Sequence, residues 1–339
     1  MLAKLLSGTI AGYEPLLVEV EVDIAGGLPS FTMVGLPDAS VNEARERVRA
    51  ALKNAGYELP ARRITVNLAP ADVRKEGAGL DVPLAVALLT ALGEIPAERV
   101  EGLLFLGETS LAGELRHARG VLPLSLLAKE KNLKGVVVPR TNVREAAAIP
   151  SLPVYGFDKL EDLIRSLKEA ESLPPAYVET SGNTPLPPAF QHVDLAEIKG
   201  QPFARRALEI SAAGAHNLLM AGPPGAGKTL LARTFPSLLP PLSFSESLEV
   251  SRIYSIKGLL PPECGLVQHR PFRDPHHTIS DVALIGGGRI PAPGEVSLAH
   301  HGVLFLDEIP EFRKSVLEVL RQPLSEGNVS ISRAAQTVT

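Results

Sequence analysis

The most regular pattern in the chain is the alternation of LLVEVEVDI (16–24), where Val18, Val20, Val22 and Ile24 recur between acidic neighbours. That period of two predicts a strand, and ITVNLAP (64–70) predicts another. Between them the spacing lengthens. Val41, Ala44, Val48 and Ala51 fall on one helical face, Ser40 and Glu43 form a capping box ahead of it, and Gly56 stands where the helix should end. VPLAVALLTALG (82–93) is apolar on nearly all sides, which predicts a helix at the centre of a core with Asp81 placed to cap it. GVVVP (135–139) reads as a buried strand, and Thr141 and Asp158 each open a further helix. Together these elements predict an α/β domain with its own core.

The segment ESLPPAYVETSGNTPLPPAFQH (171–192) holds five prolines among Ser, Thr, Gly and Asn. Proline fixes φ and removes a backbone donor, so the stretch reads as a linker between parts 1–170 and 193–339. In the second part, a loop and then an amphipathic helix from Gln201 precede a short apolar strand, NLLMA (217–221). A glycine-rich loop, GPPGAGKT (222–229), follows at once and runs into a helix, TLLARTF. GVLFLDE (302–308) predicts a second buried strand, beside the first in a parallel sheet and ending in two carboxylates. SEGNVSISRAAQTVT (325–339) reads as a β-hairpin.

The chain has 339 residues, 45% of them hydrophobic, which suits two domains, and a net charge of −4, so contact with nucleic acid would have to be local. A single cysteine, Cys264, excludes a disulfide framework within the chain and fits a reducing cytosol. MLAKLLSGTIAGYEP does not resemble a signal peptide, and the longest apolar run, 82–93, is too short to cross a bilayer. The expectation is a soluble cytoplasmic protein with no membrane contact.

The loop 222–229 carries the clearest chemistry. Gly222, Gly225 and Gly227 can take conformations closed to other residues, so the loop Gly222, Pro223, Pro224, Gly225, Ala226, Gly227 can turn its N–H groups onto anionic oxygens. The next helix adds its positive end. Lys228 would reach the β- and γ-phosphates and Thr229 would give its hydroxyl to Mg²⁺. Asp307 would hold the same ion through water, and Glu308 would polarise the attacking water. No NKxD-type guanine reader follows the loop, which favours ATP. Ile198, Gly200 and Gln201 stand where ring ATPases hold adenine; the alternative for this segment is a packing helix.

Two further stretches are open between roles. RPFRDPHHT (270–278) concentrates Arg273, His276 and His277. It is a solvated loop, or one facing a neighbouring subunit or pore. A metal site on the adjacent histidines is disfavoured, because neighbours on an extended chain point to opposite faces. In the hairpin, Arg333 either touches a polymer or belongs to an ordinary structural turn.

GPPGAGKT, PFRDPHHT, GGGRIPAPGEVSLAHHGVLFLDE and the 325–339 hairpin resemble the magnesium-chelatase-like branch of the AAA+ ATPases, and more closely the YifB/ComM family, over essentially the whole chain. The resemblance implies a Lon-protease-like domain of the ribosomal-protein-S5 domain 2-like fold, α+β, at 1–170, followed by a P-loop AAA+ parallel α/β domain at 193–339. RKEGAGLDVPLAVALLTALGEIP resembles the Lon stretch that carries the nucleophile, but 74–84 contains no serine, and Arg119–Leu122 contains no lysine where the dyad needs one. Peptidase activity is therefore not expected. The family further implies a homo-hexameric ring that hydrolyses ATP with Mg²⁺ and works as a DNA branch-migration helicase in recombination and natural transformation. A motor remodelling a protein partner, as in the chelatase, is the alternative. Arg273, His276, His277 and Arg333 would then face DNA in the pore. The family pattern also continues past Thr339, through a polar sensor strand, a subunit-bridging arginine and a helical lid, so the chain reads as a fragment or as a protein that hydrolyses ATP poorly.

Overall fold

A computed structural model describes residues 1–75, 78–169, 173–176, 193–288, 292–329, 331–333 and 336–338. The 177–192 part of the proline-rich segment lies outside them, as do Ala334, Ala335 and the side chain of Arg333. The chain divides into two compact units, Met1–Gly182 with Ser255–Gly265, and Asn183–Tyr254 with Leu266–Thr339.

The first unit is built on a seven-stranded mixed sheet. Its strands are β1 (Leu2–Ala11), β2 (Glu14–Ala25), β3 (Ser30–Val34), β4 (Arg63–Ala69), β5 (Leu103–Phe105), β8 (Gly135–Pro139) and β9 (Val154–Phe157), in the order β3-β4-β2-β1-β5-β8-β9. A separate two-stranded ribbon pairs β6 (Glu108–Thr109) with β7 (Leu115–Arg116). β1 and β2 form a long antiparallel hairpin from Leu2↔Asp23 to Ala11↔Glu14, and β1, β5, β8 and β9 run parallel. β2 pairs antiparallel with both β1 and β4, while β3 runs parallel to β4, so parallel pairs flank a central antiparallel set and the sheet is mixed. Five helices accompany the sheet among the described residues: α1 (Ala39–Asn54), α2 (Asp81–Ala91), α3 (Val121–Glu130), α4 (Val143–Ala147) and α5 (Leu160–Glu169).

The alternation of β2 works as expected, with Val18, Val20, Val22 and Ile24 buried. Val41, Ala44, Val48 and Ala51 of α1 and nearly all of α2 join them in one core. Gly56, at φ 88°, ends α1, and the Gly56 and Tyr57 amides donate to the carbonyls of Lys53 and Leu52.

Three expected caps differ. Asp38, not Ser40, caps α1, its carboxylate accepting from the Val41 amide at 2.7 Å. Ser40 lies inside the first turn, where its carbonyl accepts from Arg47. Asp81 is no cap either: it is fully buried and takes two hydrogen bonds from Arg47, at 2.8 and 2.9 Å, and one from the Thr109 amide. Thr141 falls in a 3₁₀ turn, and α4 begins at Val143.

The second unit contains α6 (Pro202–Gly214), α7 (Lys228–Leu238), α8 (Phe244–Lys257) as far as Tyr254, α9 (Asp281–Ile285), α10 (Glu295–Leu298), α11 (Lys314–Glu318) and α12 (Arg321–Glu326). Short strand pairs accompany them: β10 (Phe272–Arg273) with β13 (Val303–Leu304), β11 (Gly286–Gly287) with β12 (Ala292–Pro293), and β14 (Ile331–Arg333) with β15 (Gln336–Val338). Only β10 and β13 run parallel. The strand expected at 217–221 is absent. Among the described residues no neighbour supplies ladder hydrogen bonds to it, and Leu219 is 79% exposed. The strand expected across 302–308 is reduced to Val303–Leu304, half-buried rather than buried, and it pairs with β10 instead of the loop's own strand. Of the hairpin expected across 325–339, the described residues show Ile331–Arg333 antiparallel to Gln336–Val338, with Arg333 opposite Gln336, whereas Ser325 and Glu326 belong to α12.

Candidate functional site

Glycine at 227 is what lets α7 start where it does. Gly225 and Gly227 have φ of 77° and 85°, in the left-handed region that costs side-chain-bearing residues roughly 1–2 kcal/mol. Gly227 is the N-cap of α7, so Lys228 and Thr229 occupy its first turn. α7 is anchored by Leu231, packed with Leu195, Ile198 and Leu208. Lys228 turns back over its own loop, its Nζ donating to the carbonyls of Gly222 at 2.9 Å and Pro223 at 3.1 Å.

Asp307 comes to the same place from β13. The Val303 amide donates to Pro271 and the Phe305 amide to Arg273, both at 2.8 Å, and the rings of Phe272 and Phe305 stack 5.9 Å apart. This ladder delivers Asp307 to the first turn of α7, where its Oδ2 accepts from Thr229 Oγ1 at 2.9 Å across 78 residues of sequence. Its Oδ1 accepts from the Glu308 amide at 3.0 Å. Glu308 itself has φ 54°, a strained conformation for a residue with a side chain. The fold thus brings Lys228, Thr229, Asp307 and Glu308 together.

His277 joins them: its Nδ1 lies 3.6 Å from Glu308 Oε2, and its ring meets Phe312 edge-on. Arg233 of α7 pairs with Asp274 at 3.2 Å, closing the other side of the 270–278 segment. Sequence reasoning missed both contacts, because nothing in local spacing signals a 277–308 or 233–274 approach. The opposite-faces argument for His276 and His277 also fails. The Ile279 amide bonds the His276 carbonyl, so the chain turns there instead of running extended, and the two rings lie 4.1 Å apart.

The other candidates are dispersed. Arg273 was expected to be available to DNA, but its guanidinium is held by Glu295 through hydrogen bonds of 2.6 and 2.9 Å, leaving little of its fork for a phosphate. That bond to Glu295 raises the Arg273 pKa further, against the effect of burial. His276 is exposed and meets Thr278 Oγ1 at 3.0 Å. Ile198 is buried in the α6–α7 core, whereas Gly200 and Gln201 are exposed, with φ of 72° and 52°.

The family model for the ChlI subunit of magnesium chelatase matches residues 194–339, and a second ChlI model matches 20–142. Competence protein ComM of Haemophilus influenzae is 44% identical over 342 residues, covering 98% of this chain and 65% of its own length. YifB of Escherichia coli is 44% identical over 322 residues, covering 95% of this chain and 62% of its own. The chain therefore spans a little under two thirds of these relatives. A Lon protease of Mycoplasmopsis agalactiae shows a weaker likeness, 27% over 130 residues, covering 36% of this chain and 13% of its own length. Among the described residues, no helix is long and apolar enough to cross a membrane. On 44% identity across nearly its whole length, the chain belongs to the YifB/ComM family of magnesium-chelatase-like AAA+ ATPases.

Proposed function

We propose that this chain binds and hydrolyses ATP with Mg²⁺, and that a cytoplasmic hexameric ring of it moves branched DNA in recombination and natural transformation. The observation that carries the first half is the 2.9 Å approach of Thr229 Oγ1 to Asp307 Oδ2. A hydroxyl and a carboxylate oxygen are the donors a hard, phosphate-bound cation takes. Beside them Lys228 bonds loop carbonyls that an anion's oxygens would replace. The residues fit the cofactor. Lys228 would hold the phosphates within 222–229, Thr229 and Asp307 would hold Mg²⁺, and Glu308 would orient the water and take its proton. Bound Mg²⁺ would neutralise charge developing on the phosphates. Gly200 and Gln201 remain for the adenine side. In this reading 1–170 is a non-peptidase Lon-like domain and 193–339 the AAA+ core, joined by 171–192.

The DNA half rests on the family and on the name of its relative ComM, a competence protein. With Arg273 held by Glu295, the candidates for DNA contact are His276 and Arg333, while His277 sits beside Glu308. The test is ATP turnover with and without single-stranded and branched DNA, using Glu308→Gln as the blank. Several-fold stimulation is expected. Turnover indifferent to DNA would favour the second reading, a chelatase-like motor remodelling a protein partner. That reading draws on the two ChlI model matches.

A further inference from the structure

We propose that Glu249, His300 and His301 form a binding site for a borderline divalent transition-metal ion of the Zn²⁺ class, separate from the Thr229–Asp307 pair. His300 and His301 follow α10 in a tight turn, with the Gly302 amide bonding Ala299 at 2.8 Å. His301 has φ 54°, and the turn sets the two rings on one side, their centroids 4.0 Å apart. Both present Nε2 to one atom, Glu249 Oε2 of α8, at 3.1 Å from His300 and 2.8 Å from His301. The donor atoms of the three residues all lie within 4.8 Å of one another. Around a tetrahedral Zn²⁺ with bonds of about 2.0–2.1 Å, donors sit about 3.4 Å apart, so each ring nitrogen would have to draw back from Glu249 Oε2 by only about a few tenths of an ångström.

The remaining contacts favour a cation. If both rings donate from Nε2 to Oε2, that proton leaves His301 Nδ1 to face a second carboxylate, Glu246 Oε1, at 3.5 Å. A neutral ring would present a bare lone pair there. With a metal ion on Nε2, the ring proton moves to Nδ1 and points at Glu246, the carboxylate–histidine–metal arrangement that orients ligating imidazoles. Glu246 is held in turn by Arg270 at 3.4 Å, and Arg270 also donates to the His301 carbonyl at 2.8 Å. Two imidazoles and a carboxylate select Zn²⁺-class ions over Mg²⁺ or Ca²⁺. The half-exposed His300 and Glu249 leave the ion reachable and an outer position open to water. Binding would tie α8 to the turn that leads into β13.

The intact chain, stripped by a chelator and free of nucleotide, is titrated with Zn²⁺ against a chromogenic competitor. One ion per chain with a micromolar or tighter Kd is expected, and Co²⁺ in its place should show visible d–d absorption. His300→Ala and Glu249→Gln should each weaken binding at least about tenfold, and His276→Ala should leave it unchanged. Absent stoichiometric binding, or undiminished affinity in both variants, overturns the proposal. So does loss of the ion in Asp307→Asn, which would assign it to the nucleotide side. If circular dichroism shows His300→Ala misfolded, the isosteric Glu249→Gln decides.

Discussion

Asp81 shows how one buried charge depends on one partner. Its carboxylate is fully buried, and the hydrogen bonds from Arg47 and the Thr109 amide favour its charged form. Burial pushes its pKa above the ordinary carboxylate range, against the pull of Arg47. Arg47→Met removes the pull and keeps the burial, stranding the charge, at about 3–5 kcal/mol for a broken buried pair. The raised acid in the folded state then binds a proton that the unfolded chain, with a carboxyl near about 3.9, gives up. Stability therefore falls as pH rises between those two values, and the loss is complete above the folded one. The deficit of the variant in urea denaturation should be larger at neutral pH than at mildly acid pH; equal deficits would mean that Asp81 is not the group responsible. At the candidate site, Lys228→Ala should abolish ATP binding by equilibrium fluorescence, and unchanged affinity would remove the 222–229 assignment. Glu308→Gln should bind ATP and fail to turn it over.

The β10–β13 pair is the element on which the site depends. It is only two residues long on each side, yet it carries Asp307 to Thr229. Gly302 permits it: a Cβ there would lie 2.2 Å from the Pro271 carbonyl oxygen that accepts from Val303. Gly302→Ala should force the strands apart at about 1–3 kcal/mol of overpacking strain. It should also lower ATP turnover at least about tenfold with Lys228 intact; parental turnover would show that Asp307 is positioned by something else. This pair also marks the limit of sequence reading. The glycine-rich loop and the helix after it were legible, because loop and cap are local chemistry. So were the alternation of β2 and the all-round burial of α2. What escaped depends on long-range partners: among the described residues 217–221 is apolar but finds no strand to pair with, and 302–308 pairs over two residues with β10. The cap at 81 was misplaced for a related reason. A carboxylate near a helix start reads as a cap until a distant arginine claims it.

In the whole molecule, the candidate site is open. Thr229, Asp307 and Glu308 are all exposed, the Glu308 side chain at 67%. A carboxylate facing bulk solvent is a poor orienting group for one water, and phosphate chemistry gains from excluding the rest. Within a hexameric ring, a neighbouring copy would supply the cover. The ATP turnover per chain should then rise with protein concentration and level off as rings fill. Glu308→Gln chains mixed into wild type should depress turnover by more than their share, because each would spoil the cycle of its neighbours. A per-chain rate that stays flat with dilution, together with a straight mixing line, would mean that each chain completes its own site. The search for water exclusion would then move from an adjoining copy to segments of the same chain.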